Sequence, residues 1–374
     1  MKPLNLCRLT LCSWAGLGWN TRLTLWCLLS AGLILGYWPS AAEAHVKWFA
    51  EYDLACPPRS PSQILFGEYF FLFCLFIGPL MFAVAYIDRR LVSEPNWLAQ
   101  GVNALTDRTQ ACFPVFLRLG VSAFFLAAVA YGGFILTPEL KTDASWVSGT
   151  HLAIAGLALS PSTAFVAGIG MVALYVHAIA EFGLYHLLDY PIFLGVAAYL
   201  AIVSFFGQAH ATTAHNVMRW ATGITLLWAG IEKFAFPEWS FKLLVAKPEL
   251  TFGFTPEFYM VAAGFVEFCC AFLLITGMLS ARAAALVLLF LFVSAVYYFG
   301  VIDAIGHSVI IIVLSILILS RNPVAPLFQL NGPVKTAAAH TGLYFAALIL
   351  FIGLYDLGHD LSYGLYLSAD HCAS

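Results

Sequence analysis

Glu232, Lys233 and Glu267 are ionisable residues set in stretches that are otherwise apolar. Glu267 falls about ten residues into its run, so at ~1.5 Å rise per residue it sits near the middle of a ~30 Å hydrocarbon layer. An ionised carboxylate is costly there unless it is paired or hydrated. The partners within reach are Lys233 and Glu232; otherwise Glu267 keeps its proton. A group of this kind relays protons for a quinone or binds a substrate. A neutral Glu267 hydrogen-bonded across helices would instead hold a bundle together. Both uses stay open on sequence alone.

A second set of ionisable residues, His151, His177, Glu181, His186, Asp189, Glu232, Asp303 and His307, falls toward one edge of the apolar runs. His177 and Glu181 are four apart and share a helix face, as do Asp303 and His307. Such pairs suit a metal ion, a proton relay or a polar headgroup. No His-x-His or Cys-x-x-Cys grouping accompanies them, so metal is not specified. The bland alternative is a set of interfacial residues solvated by water and headgroups. His45 follows Ala42-Glu43-Ala44, and as a mature amino terminus it would offer an amine and a ring nitrogen to one copper ion, with His359 or His371 adding an imidazole. The aromatic stretches His45-Val-Lys-Trp-Phe and Phe236-Pro-Glu-Trp-Ser-Phe are more simply anchors at a membrane interface.

The elements that must position these residues are membrane spans. Hydrophobic residues make up 61% of the 374 and charged residues 10%, and mean hydropathy is +0.87; a soluble domain carries roughly a quarter charged residues. A net charge of -3 excludes the basic footprint of a nucleic-acid binder. Residues 1–44 read as a signal peptide, with Arg22 before the apolar stretch Leu23 to Trp38 and a small-x-small cleavage site. Ten spans follow, near 67–87, 113–136, 147–160, 162–182, 191–206, 217–234, 257–279, 283–300, 305–320 and 338–356. The third is short and could be re-entrant.

If His45 starts outside, Arg89, Arg90, Arg108, Arg118, Arg219, Arg282, Arg321 and Lys335 fall on the cytoplasmic side, as the positive-inside rule asks. Lys242 and Lys247 dissent. The expected location is a bacterial inner membrane with both mature ends periplasmic. Cys56 and Cys372 are then the cysteines of the exported ends, and a disulfide between them is expected.

Arg118 and Arg219 each open an apolar span, and each is followed by three further spans with a Phe-Gly break, at Phe182-Gly183 and Phe299-Gly300. The pattern predicts two four-helix modules in parallel orientation, 113–206 and 207–337 with its linker. A first span and cytoplasmic loop (45–112) precede them and a last span with an exported tail (338–374) follows. The fold class is thus all-α, a polytopic transmembrane bundle. Residues 217–320, with Gly230-Ile-Glu232-Lys233-Phe234, Ala263-Gly264-Phe-Val-Glu267, Leu274-Ile-Thr-Gly277 and Arg282, resemble the DoxX family of four-helix membrane proteins; residues 113–206 resemble it weakly and lack counterparts of Glu232-Lys233 and Glu267. The resemblance implies an accessory or quinone-facing subunit of a membrane redox system, with membrane or periplasmic redox proteins as partners and quinone as the cofactor at hand. A small-solute or metal-ion transporter, or a scaffold without catalysis, is the alternative. No self-sufficient catalytic motif is present.

Overall fold

The computed structural model describes residues 46–50, 52–93, 97–320 and 330–364. The expected leader, His45, His371, Arg321 and Cys372 lie outside the described residues. The fold is all-α, with one isolated bridge between Phe134 and Lys141. Short helices α1 (Val46–Phe49) and α2 (Pro61–Leu65) lead into α3 (Glu68–Ser93) and α4 (Trp97–Thr109). Then come α5 (Phe113–Tyr131), α6 (Ser145–Leu159), α7 (Ala164–Phe182), the single-turn α8 (Leu184–Leu187) and α9 (Pro191–Phe206). The remainder is α10 (Ala211–Ala235), α11 (Glu238–Ala246), α12 (Pro256–Thr276), α13 (Leu279–Leu319) and α14 (Pro333–Tyr363).

Six helical segments among the described residues are long and apolar enough to cross a membrane, and α6 and α9 are shorter apolar helices. At 15 and 16 residues these two reach about 22–24 Å, short of a ~30 Å core. The spans expected at 283–300 and 305–320 are the two helical segments of α13, which meet at a kink at Gly300, whose φ of 79° and ψ of -152° are non-helical. The last expected span extends to Tyr363. Phe71, Phe76, Ile169 and Phe290, each at least 60% exposed, require lipid around them rather than water.

Local chemistry sets the helix ends. Thr255 accepts from Phe258 N and Pro256 occupies the first turn of α12, where its missing N–H costs nothing. Asp88 of α3 accepts from the backbone N–H groups of Met278, Leu279 and Ser280 at the start of α13, satisfying orphan donors and the helix dipole together. Arg282 donates to Ser320 O and to Thr106. These contacts gather at the end of α3 and α12 remote from Glu68 and Pro256. α10 packs closely on α12 and α9, α7 on α6 and α9, and α3 on α14. Where α10 meets α12, Gly230 and Gly264 face one another and a Cβ on Gly264 would meet the Phe234 ring at 2.6 Å. Small residues there let the two backbones approach.

Candidate functional site

Lys47 of α1 is 5% exposed. Its Nζ lies 2.5 Å from Asp189 Oδ2 and 2.5 Å from Glu232 Oε2, and 5.8 and 5.7 Å from the centroids of the Tyr52 and Trp239 rings. Two carboxylates and two aromatic faces thus enclose one ammonium. Burial alone would lower the Lys47 pKa, but Asp189, Glu232 and Glu139 outweigh it and hold the ammonium well above the usual lysine range.

The carboxylates come from separate elements. Asp189 follows α8, just past the break where Gly183 takes φ 84° and ψ 156°, a conformation open essentially to glycine alone. Glu232 stands in the last turn of α10, where Tyr355 of α14 donates to its Oε2 at 3.4 Å. Glu139 lies in the loop joining α5 to α6, its Oε1 2.9 Å from His186 Nε2 and accepting from the Tyr190 hydroxyl. Asp189 Oδ1 is buried and has no hydrogen-bond partner among the described residues.

From this cluster the charge pattern continues inward. Lys233, next to Glu232, pairs with Glu267 of α12. Neighbouring helix positions diverge by about 100° around the axis, so α10 presents Glu232 to Lys47 on one side and Lys233 to Glu267 on another. Glu267 is eleven residues beyond Pro256, the first of α12, or about 16 Å along it. Lys233 also lines a cavity of about 240 Å³ with Arg59, Glu68 and Glu257. Beside that cavity Arg59 Nη1 lies 2.5 Å from Glu257 Oε1, and Nε donates to Glu238 at 2.8 Å. Burial alone would lower the Arg59 pKa, but its bonds to Glu257 and Glu238 outweigh that and raise it.

α1 also reaches the second break. The Trp48 ring lies 4.8 Å from that of His307, over Gly306, where an added Cβ would come within 1.9 Å of it. His307 Nδ1 is 3.0 Å from Asp303 Oδ2, and Phe49 stacks on Phe299 beside Gly300.

Of the residues singled out by sequence, His186, Asp189 and Glu232 meet in one cluster, and Glu267 meets Lys233. The two four-apart pairs both form, His177 with Glu181 at 3.1 Å and Asp303 with His307 at 3.0 Å. They stand on opposite sides of their breaks, since His177 and Glu181 precede Gly183 whereas Asp303 and His307 follow Gly300. His177 and Glu181 are partly exposed beside Trp146. His151 is 1% exposed, with Nε2 2.7 Å from Ile135 O, so it satisfies a loop carbonyl. His359 is not in a tail: it is wholly buried in α14, its Nε2 2.9 Å from Leu54 O. Its Nε2 is therefore engaged in joining α14 to the segment before α2. Cys56 is disulfide-bonded, and Cys74, Cys112, Cys269 and Cys270 are free. Sequence reasoning missed Lys47, Glu139 and Tyr190 as members of the cluster.

A bundle of lipid-exposed apolar helices with its charges drawn into a buried cluster is a polytopic α-helical membrane protein. Residues 214–300, from within α10 to the Gly300 kink in α13, match the DoxX family model. No curated protein and no solved structure matches the chain.

Proposed function

We propose that this DoxX-like protein is a quinone-facing or accessory subunit of a membrane redox system, handling protons on the periplasmic side of a bacterial inner membrane. The observation that carries the proposal is the continuity of ionisable groups from Asp189, Lys47 and Glu232 to Lys233 and Glu267. Redox chemistry of a quinone moves protons together with electrons, so a subunit serving it needs protonatable groups that reach into the bilayer from one face. Glu267 is the deepest of these, and the cavity beside Lys233 gives a polar headgroup an approach to that pair. The match to DoxX over 214–300 agrees with such a role without specifying it.

The orientation is part of the same proposal. The Lys47 cluster and the Arg59 pairs occupy the periplasmic end, and the Asp88 and Arg282 contacts the cytoplasmic one. Two parallel modules meet at the cluster, the first supplying Glu139, His186 and Asp189 and the second Glu232. The glycine breaks at Gly183 and Gly300 favour that repetition. Purification in mild detergent tests the role: a quinone or a redox partner should copurify, and partner-linked activity should fall in Glu267→Gln.

A transporter is the second reading, favoured by the enclosed charges between helices of both modules. It requires substrate-dependent flux into proteoliposomes, and a silent assay across small solutes and divalent ions would remove it.

A further inference from the structure

We propose that Glu139, His186 and Asp189 form a binding site for a divalent transition-metal ion. One carboxylate oxygen from each acid and one ring nitrogen of His186 lie within 4.8 Å of one another, and all three residues are buried. An ion held tetrahedrally at about 2.0–2.2 Å by each ligand sets them roughly 3.3–3.6 Å apart, so binding draws the three side chains together by up to about 1.5 Å. His186 and Asp189 are three residues apart around the turn that ends α8, so one local structure supplies two ligands. Glu139 enters from the α5–α6 loop, fixed by the Tyr190 hydroxyl. A ligand carboxylate steadied in this way is what a metal site requires of its surroundings.

Two further observations point to a cation. Asp189 is 7% exposed, and its Oδ1 has no hydrogen-bond partner among the described residues; a buried carboxylate oxygen left this way ordinarily has an ion or a water to explain it. The two carboxyl groups of Glu139 and Asp189 also converge on the one imidazole of His186. Lys47 engages Asp189 through Oδ2, which leaves Oδ1 to an added ion. The donor set selects the class: an imidazole with two carboxylates and no sulfur suits Zn²⁺, Fe²⁺ or Mn²⁺ and disfavours Cu⁺, while Mg²⁺ and Ca²⁺ prefer oxygen alone. The site does not depend on the redox role proposed above, and either can fail without the other.

The test uses the full chain in detergent, stripped with a chelator and titrated with Co²⁺ and then Zn²⁺. Wild type should take up one Co²⁺ per chain with visible ligand-field absorption, and Zn²⁺ should displace it. His186→Gln and Glu139→Gln should weaken binding by at least the roughly 10–100-fold that loss of an outer-shell partner costs. Lys47→Met, which removes a competing positive charge, should strengthen it by about tenfold or more. The comparator His177→Gln should bind as wild type does. Folded wild type that takes up no Co²⁺ or Zn²⁺ overturns the proposal whatever the variants do. So does binding that survives unchanged in folded His186→Gln, or that is lost in folded His177→Gln.

Discussion

Lys47 Nζ and Asp189 Oδ2 are 2.5 Å apart although 142 residues separate them in the chain. The contact fastens the segment before the first long helix to the turn that follows the Gly183 break. In the same α1 helix Trp48 lies against His307, just beyond the Gly300 break. One short helix therefore touches both places where the long helices are interrupted.

Removing the Lys47 charge leaves Asp189 and Glu232 buried without their cation. Breaking a buried pair in this way costs about 3–5 kcal/mol, so Lys47→Met should unfold well below wild type in a detergent thermal melt. The Lys47 pKa is raised on folding. Its contribution is therefore fully present below the unfolded lysine value of about 10.4 and is lost only as pH rises through the higher folded value. The difference between the two melts should accordingly hold from neutral pH to about 10. Equal melting temperatures would show that the pair contributes nothing.

Arg59→Ala is the contrasting case. Its partners Glu238 and Glu257 are 54% and 35% exposed, and exposed ion pairs contribute about 0–1 kcal/mol. The melt should move little, and a loss as large as that of Lys47→Met would mean that the Arg59 pairs are effectively shielded from water.

The helices themselves were legible in the sequence because length and apolarity are local properties. The expected spans all fall on helices, but α6 and α9 are short, and α10, the helix of the expected span 217–234, is not among the six segments long and apolar enough to cross a membrane; the Phe-Gly breaks stand where Gly183 and Gly300 take positive φ. For Glu267 the sequence offers Lys233 or Glu232 as partner, or a retained proton, because a lone carboxylate in an apolar run is costly, and the structure pairs it with Lys233. Lys47 could not. It sits in the aromatic run Lys47-Trp-Phe, which suits an interface anchor equally well, and no spacing rule relates it to residues 189 or 232. Glu139 likewise carries no sequence signal of its own, since only the fold brings His186 and Tyr190 onto it. His359 misled for the opposite reason: its helix runs on to Tyr363 and buries it.

Gly183→Ala and Gly300→Ala test the breaks. Each glycine combines a φ near +80° with an extended ψ, a region that costs a residue with a side chain about 1–3 kcal/mol. Both variants should be destabilised by that order, measured by thermal or denaturant unfolding. Gly149→Ala supplies the control, since an added Cβ there meets nothing within 4 Å. Breaks that tolerate alanine as readily as position 149 would show that their conformation is not required.

The disulfide at Cys56 has a proposed partner in Cys372, the remaining cysteine beyond the expected leader once the free ones are set aside. Intact-mass measurement of non-alkylated protein should give a chain beginning at His45 that gains two hydrogens on reduction, and peptide mapping should join 56 to 372. A leader still attached, or Cys56 linked elsewhere, would contradict the exported placement of both ends.

The most direct test of the redox proposal is Glu267→Gln, because Glu267 lies deepest in the chain of ionisable groups and pairs with Lys233. Membranes carrying wild type or the variant at equal abundance should be compared for copurifying quinone and for turnover of the associated redox partner. Turnover should fall at least about tenfold, equivalent to ~1.4 kcal/mol of barrier, while the variant still extracts as folded protein. Full turnover with unchanged quinone content in the folded variant would contradict a proton-handling role for this pair.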